Sequence, residues 1–192
     1  MIRLSVFASG SGTNAENIIR HFNSSKYFKV VSVYCNKPDA AVIGRAKKLH
    51  VPCRIFNRDD FYYEGNVLKW LKEDQTDFIV LAGFLLLVPN ELITAFPDRI
   101  INIHPALLPK FGGKGFYGSR VHQAVTEAGE VMSGITVHLV NEKFDEGRII
   151  FQAGCHVSRS DTAESLAKKI HELEYRYFPR VIEKFILSNI TK

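Results

Sequence analysis

Residues 2–22 read IRLSVFASGSGTNAENIIRHF, and this stretch decides the fold. Ile2 to Ala8 is an apolar, β-rich run, the pattern of a strand buried on both faces. It ends in a Ser/Gly turn, and from Asn14 to Asn23 the apolar residues Ile18, Ile19 and Phe22 recur at helical spacing. Strand, glycine turn and helix form the opening unit of an open α/β sheet, and such a sheet places a phosphate at that turn, against the helix N-terminus. Gly10 and Gly12 let the backbone turn tightly, and Thr13 and Asn14 add side-chain donors. No Lys-Ser/Thr pair follows, so this is not a Walker A loop. Ala15, and not a third glycine, stands at the last position of a G-x-G-x-x-G dinucleotide fingerprint, which only weakly favours one monophosphate over a dinucleotide. A capped turn with no ligand explains the motif about equally well.

The same alternation continues outward. Phe28 to Tyr34 is rich in β-branched residues, Asp39 to Leu49 is a second helical pattern, Pro52 to Phe56 a short strand, and Asn66 to Lys72 a further helix. Asp77 to Ala82 and Arg99 to Ile103 are apolar strands. Unalternating strands separated by helices predict a parallel sheet covered on both faces. After Pro109 the character changes. A Gly-rich loop leads to a helix over Arg120 to Glu127. Two strands, Ser133 to Val140 and Arg148 to Val157, are joined by a turn too short for a crossover helix and predict an antiparallel hairpin. Asp161 to Leu187 is one long helical pattern interrupted by Pro179. The expected fold is α/β: an open, mostly parallel twisted sheet with a C-terminal mixed hairpin and a long final helix. The expected organisation is a single domain over 1–192, with 1–104 as the nucleotide-fold half and 105–192 completing the site.

The composition bounds the function. With 192 residues, 46% hydrophobic and 23% charged, the chain suits one domain with a substantial core. No apolar run approaches the roughly 20 residues that span a membrane, and the N-terminus lacks the pattern of a signal peptide. Cys35, Cys53 and Cys155 are an odd count without metal-type spacing, which reads as reduced thiols in a cytoplasmic protein. The net charge of +5 is spread along the chain, which argues against a nucleic-acid arm and weakly for small anionic substrates.

The chemistry centres on IINIHPALLP, residues 100–109. Asn102 and His104 are two apart and share one face of an extended chain, at the C-terminal strand edge where open α/β sheets bind ligands. Pro105 ends the strand and, with Pro109, stiffens the exit. An amide and an imidazole on one face suit a developing oxyanion, and the imidazole can also move a proton near neutral pH. No Ser or Cys nucleophile accompanies them, so direct attack of one substrate on another fits better than a covalent enzyme intermediate. Asp145 lies in the hairpin turn NEKFDEGRII, where turn chemistry alone explains Asp and Gly. If it faces His104, it raises the histidine pKa and holds its tautomer.

SGSGTN (9–14), NKPDA (36–40), LAGF (81–84), NIHPALLP (102–109), SGITVHLV (133–140) and FDEGRII (144–150) together resemble the folate-dependent formyltransferase family, in particular the phosphoribosylglycinamide formyltransferases. The resemblance covers nearly the whole chain. It implies transfer of the formyl group of 10-formyltetrahydrofolate, the co-substrate, to the primary amine of glycinamide ribonucleotide in de novo purine biosynthesis. By the same resemblance, Asn102, His104 and Asp145 are the catalytic residues. Gly12, Thr13 and Asn14 take the substrate phosphate, Glu174 touches the ribonucleotide, and His138 supports the site. The folate pocket maps to Leu85, Leu86, Leu87, Val88 and Asn102, with Leu85-Leu86 standing where the family often has Met-Arg. His122 matches the later histidine of the loop after Pro109. The expected mechanism has Asp145 keeping His104 protonated. No metal, nucleic acid or membrane is expected, and the chain is expected as a monomer or homodimer. The alternatives are a formyltetrahydrofolate hydrolase, with water in place of the amine, and a non-catalytic phosphate- or nucleotide-binding module, which leaves Asn102, His104 and Asp145 unexplained.

Overall fold

A computed structural model describes residues 1–190. Its elements, in chain order, are β1 (Ile2–Ala8), α1 (Thr13–Phe22), β2 (Phe28–Cys35), α2 (Ala41–Lys48), β3 (Cys53–Ile55), α3 (Arg58–Tyr62), α4 (Asn66–Glu73), β4 (Phe78–Leu81), α5 (Asn90–Ala95), β5 (Ile100–His104), α6 (Ser119–Glu127), β6 (Met132–Leu139), β7 (Ile149–His156) and α7 (Ala163–Ile190). The strands hydrogen-bond in the order β3-β2-β1-β4-β5-β6-β7. The fold is therefore the expected α/β type: a seven-stranded, mostly parallel sheet ending in an antiparallel hairpin and a long final helix. Among the described residues no helix is long and apolar enough to cross a membrane.

The chain divides into two compact units, Met1–Ile101 and Asn102–Lys192. In the first, β1 pairs in parallel with both β2 and β4, and β2 with β3. The chain winds outward from β1 to β3 and then returns to the other side of β1, so the order reverses between β1 and β4. Such a reversal opens a crevice at the carboxyl ends of the two strands. Phe7 stacks on Tyr34 with ring centroids 4.7 Å apart, and Phe56, Phe61 and Phe84 close around Phe7.

In the second unit β6 and β7 pair antiparallel, with Gly134 opposite Gly154. A Cβ on Gly134 would run into the Ala153 carbonyl, so only glycine fits there. The final helix corrects one expectation, because Pro179 does not interrupt it: α7 is continuous from Ala163 to Ile190. A proline inside a helix removes one backbone bond. Burial of Phe178, Ile182 and Ile186, with α7 packed on α6, β6 and β7, outweighs that loss. Two short helices, α3 and α5, fall where no helix was expected. One of them, α3, opens on a capping box, with the Asn57 side chain accepting from the Asp60 N–H while Asp60 accepts from the Asn57 N–H.

Candidate active site

The unit Met1–Ile101 carries the glycine turn at the carboxyl end of β1. Gly12 caps α1 with φ 73°, and a Cβ there would overlap Val42. Only glycine satisfies both demands. Gly10 has neither constraint, so of the two glycines the turn depends on Gly12. The turn is tied to α2: the Val42 N–H donates to the Gly10 carbonyl (3.2 Å) and Arg45 Nε to the Ser11 carbonyl (2.8 Å). Glu16 is paired with both Arg20 and Arg45, which hold its carboxyl below the usual range. The acidic side chain in the first turn of α1 is thereby partnered by two cations.

The loop after β4 lies beside this turn. The Ser9 N–H donates to the Gly83 carbonyl (3.1 Å), and the Leu85 N–H donates to Ser9 Oγ (3.0 Å). Tyr62, which belongs to α3, donates its hydroxyl to the Leu87 carbonyl at 2.9 Å. Leu85 is exposed, Leu86 and Leu87 are half-buried and Val88 is buried. The Leu85–Val88 segment thus presents apolar side chains, while two of its backbone groups are already committed within the unit.

The unit Asn102–Lys192 assembles the polar cluster. Asn102 and His104 leave β5 on one face. The loop that follows is held by Thr136 on β6, whose hydroxyl accepts from the Leu108 N–H (3.0 Å) and donates to the Ala106 carbonyl (2.7 Å). Gln152 on β7 donates to the Leu108 carbonyl and to Thr136 Oγ1. Asp145 enters from the turn between β6 and β7 with φ 57°, a left-handed conformation that Asp tolerates better than most residues. A Cβ on Gly147 would overlap the Leu139 carbonyl, and one on Gly112 would overlap Leu108 and press on Asp145. Glycine at both places lets the hairpin turn and the loop after Pro109 close on the carboxylate.

Four side chains meet there. His138 Nδ1 lies 2.7 Å from the Leu139 carbonyl and must donate to it, which leaves Nε2 as an acceptor. Asn102 Nδ2 donates to that Nε2 at 3.0 Å, so the neighbouring imidazole fixes which way the amide faces. The same amide nitrogen makes a long contact, 3.4 Å, with Asp145 Oδ1. Asp145 Oδ2 accepts from the Gly113 N–H (3.0 Å) and lies 3.4 Å from His104 Nδ1. The other ring nitrogen of His104, Nε2, donates to the Phe111 carbonyl at 2.7 Å. His138, absent from the chemistry of the bare sequence and named only through the resemblance, is buried and central.

Electrostatics corrects the expectation that Asp145 keeps His104 charged. Burial pushes the His104 imidazole below its ordinary value; Asp145 and the Phe111 carbonyl act in the opposite sense and are outweighed. The ring is neutral at pH 7, with Nε2–H held by Phe111 and the Nδ1 lone pair toward Asp145. Burial also works against the Asp145 carboxylate, but His138 and His104 in their protonated forms, with the Gly113 N–H, hold its pKa below the usual range. The site at rest is a neutral base beside an ionised acid.

Glu174, on α7, is buried, and its Oε2 accepts from His171 Nδ1 at 2.9 Å. Its charge reaches both His104 and His122 of α6. The i, i+3 spacing of His171 and Glu174 on one helix is the signal in the sequence for this pair. No group of described residues is arranged to hold a metal ion.

Comparison with known proteins agrees with this geometry. The formyl transferase family model matches residues 2–182. A phosphoribosylglycinamide formyltransferase of Bacillus subtilis is 35% identical, the match covering 98% of this chain and 97% of that protein. A chloroplastic phosphoribosylglycinamide formyltransferase of Arabidopsis thaliana is 41% identical over 94% of this chain, which spans 64% of that protein's length. The crystal structure of phosphoribosylglycinamide formyltransferase from Bacillus halodurans superposes with a TM-score of 0.87 at 37% identity, covering 96% of this chain and 95% of that one. The chain belongs to the formyl transferase family of group-transfer enzymes.

Proposed function

We propose that this chain transfers the formyl group of 10-formyltetrahydrofolate to the primary amine of glycinamide ribonucleotide. The observation that carries the reading is the Asn102–His138–Asp145–His104 cluster: an oriented amide donor, a neutral imidazole and an ionised carboxylate, with no side-chain nucleophile among them. Gly12, Thr13 and Asn14 would receive the ribonucleotide phosphate, Glu174 a hydroxyl of the same substrate, and the apolar side chains of Leu85 to Val88, with Asn102, the folate.

In this reading the amine attacks the formyl carbon directly. Charge develops on the formyl oxygen, and the second N–H of Asn102, which makes only a long 3.4 Å contact with Asp145, donates to it. The attacking nitrogen becomes cationic and gives its proton to His104 Nδ1. The imidazolium so formed stands between Asp145 and the Phe111 carbonyl, both of which stabilise it. Because His104 is neutral before attack, that charge pair exists only along the reaction coordinate, where it lowers the barrier without tightening the ground state. Collapse of the intermediate expels the folate nitrogen, which takes the proton back from His104. The products are formylglycinamide ribonucleotide and tetrahydrofolate.

The test supplies the protein with 10-formyltetrahydrofolate, with and without glycinamide ribonucleotide, and follows the formyl group by mass. Formyl on the amine, only when the amine is present, supports the transferase; formate released without it identifies the hydrolase instead.

A further inference from the structure

Along α7 the residues Leu166, Ile170, Glu174, Phe178, Ile182 and Ile186 recur every fourth position, and all six are buried. Five are large and apolar. The sixth is a carboxylate, with its side chain only 6% exposed. An ionised group in such a stripe is unfavourable unless it is hydrogen-bonded, and an aliphatic residue would serve packing better. One partner that it bonds is His171, one turn back on the same helix and half-exposed. The His171 ring is itself fixed by stacking on Tyr175, with centroids 6.0 Å apart and planes 9° from parallel. A second imidazole, His122 of α6, lies in the field of both Glu174 and His171, is buried, and has no partner for its Nδ1 among the described residues.

We infer that His171 is a positioning residue, which holds the Glu174 carboxylate in the orientation that meets the ribonucleotide. The inference rests on the reading of Glu174 as a ribonucleotide contact. The donor is what matters, since a neutral His171 protonated at Nδ1 still holds Oε2, although more weakly than the cation. Asparagine carries an N–H at nearly the place of histidine Nδ1, so His171→Asn keeps the bond without the charge, whereas His171→Ala removes it.

The test is steady-state formyl transfer by the full chain, varying each substrate in turn, for Glu174→Gln, His171→Ala and His171→Asn. His171→Ala is expected to raise KM for the ribonucleotide about tenfold, the effect of losing one hydrogen bond to a charged group, with kcat and the folate KM within about twofold of the parent. His171→Asn is expected to restore most of that loss. The groups facing His171 are Glu174 and Tyr175 on α7 and His122 from α6. In the parent, kcat/KM for the ribonucleotide should decline as pH rises through the His171 ionisation, which Glu174 holds above the ordinary histidine value. His171→Asn should lack that limb. A merely structural role would change the melting temperature and leave both KM and the pH profile unmoved, and that result overturns the inference. If Glu174→Gln raises the ribonucleotide KM while His171→Ala does not, the clamp is wrong and Glu174 keeps its role. If Glu174→Gln leaves KM unchanged, the role of Glu174 is itself wrong. Should His171→Ala fail to fold, His171→Asn decides through the pH limb.

Discussion

Asp145→Asn is the most informative single change, because it removes a charge and little else. The variant keeps an oxygen for the Gly113 N–H, now 3.0 Å from Oδ2, and fills nearly the same volume. It takes away the anion 3.4 Å from His104 Nδ1. Two unit charges about 4 Å apart attract by about 4 kcal/mol at the effective dielectric of a partly buried pair. In the proposed reaction the pair forms only when His104 accepts the amine proton, so most of that energy would be lost from the transition state. At roughly 1.4 kcal/mol per factor of ten, kcat should fall by about 10² to 10³. Neither substrate meets the lost charge before attack, so KM for both should stay within about threefold. Stability should fall modestly, since folding favours the charged form of Asp145 and the amide nitrogen replaces the oxygen that faces Asn102 Nδ2. The assay is steady-state formyl transfer with each substrate varied, beside a thermal melt to show that the variant is folded. A folded variant with kcat within threefold of the parent, or one with raised KM and intact kcat, would exclude the charge pair from the transition state.

The pH dependence follows from the same groups. His104 is held below its ordinary value of 6.5, so the unfolded chain takes up a proton first as pH falls. The stability contributed by burying the neutral ring is complete above about pH 6.5 and is lost as pH drops toward the folded pKa. Asp145 adds a loss of the same sign below about pH 4, as pH falls through its depressed folded value. His122, also held low, adds to this loss and His171, held above its ordinary value, opposes it, so the test is the difference between proteins: His104→Gln should lose less melting temperature than the parent from pH 7 to pH 5, and a variant with the parent's slope contradicts the neutral ring. Thr136→Val keeps the shape of the side chain but strands the buried Leu108 N–H and Ala106 carbonyl. It should destabilise by about 2 kcal/mol and lower the urea midpoint by roughly 1 M, and an unchanged midpoint would show that the loop is held by other contacts.

Much of the fold was legible because its strands are buried on both faces and so read as unbroken apolar runs. β1, the turn at Gly12 and α1 follow from residues 2–22 alone, and the hairpin follows from the shortness of its connection. The short helices were missed for opposite reasons. Five residues give α3 too little room for an apolar period, yet its capping box was readable in Asn57 and Asp60. Six-residue α5 has no side-chain cap. Pro179 misled because local propensity disfavours it in a helix, whereas the packing of α7 decides. In the site, the shared face of Asn102 and His104 was visible in the two-residue period. The role of His138 was not: it depends on which ring nitrogen meets the Leu139 carbonyl, a matter of tautomer and register. The protonation of His104 was misjudged because a nearby carboxylate can be anticipated from sequence, while the burial that outweighs it is set by the whole fold.

In the proposed reaction Asn102, with its amide oriented by His138, acts on the transition state and not on substrate binding. Asn102→Ala in steady-state formyl transfer tests this directly. Loss of a preorganised oxyanion donor should lower kcat by about 10² to 10³, with KM for glycinamide ribonucleotide and for 10-formyltetrahydrofolate nearly unchanged. A variant whose KM rises while kcat is retained would contradict the account.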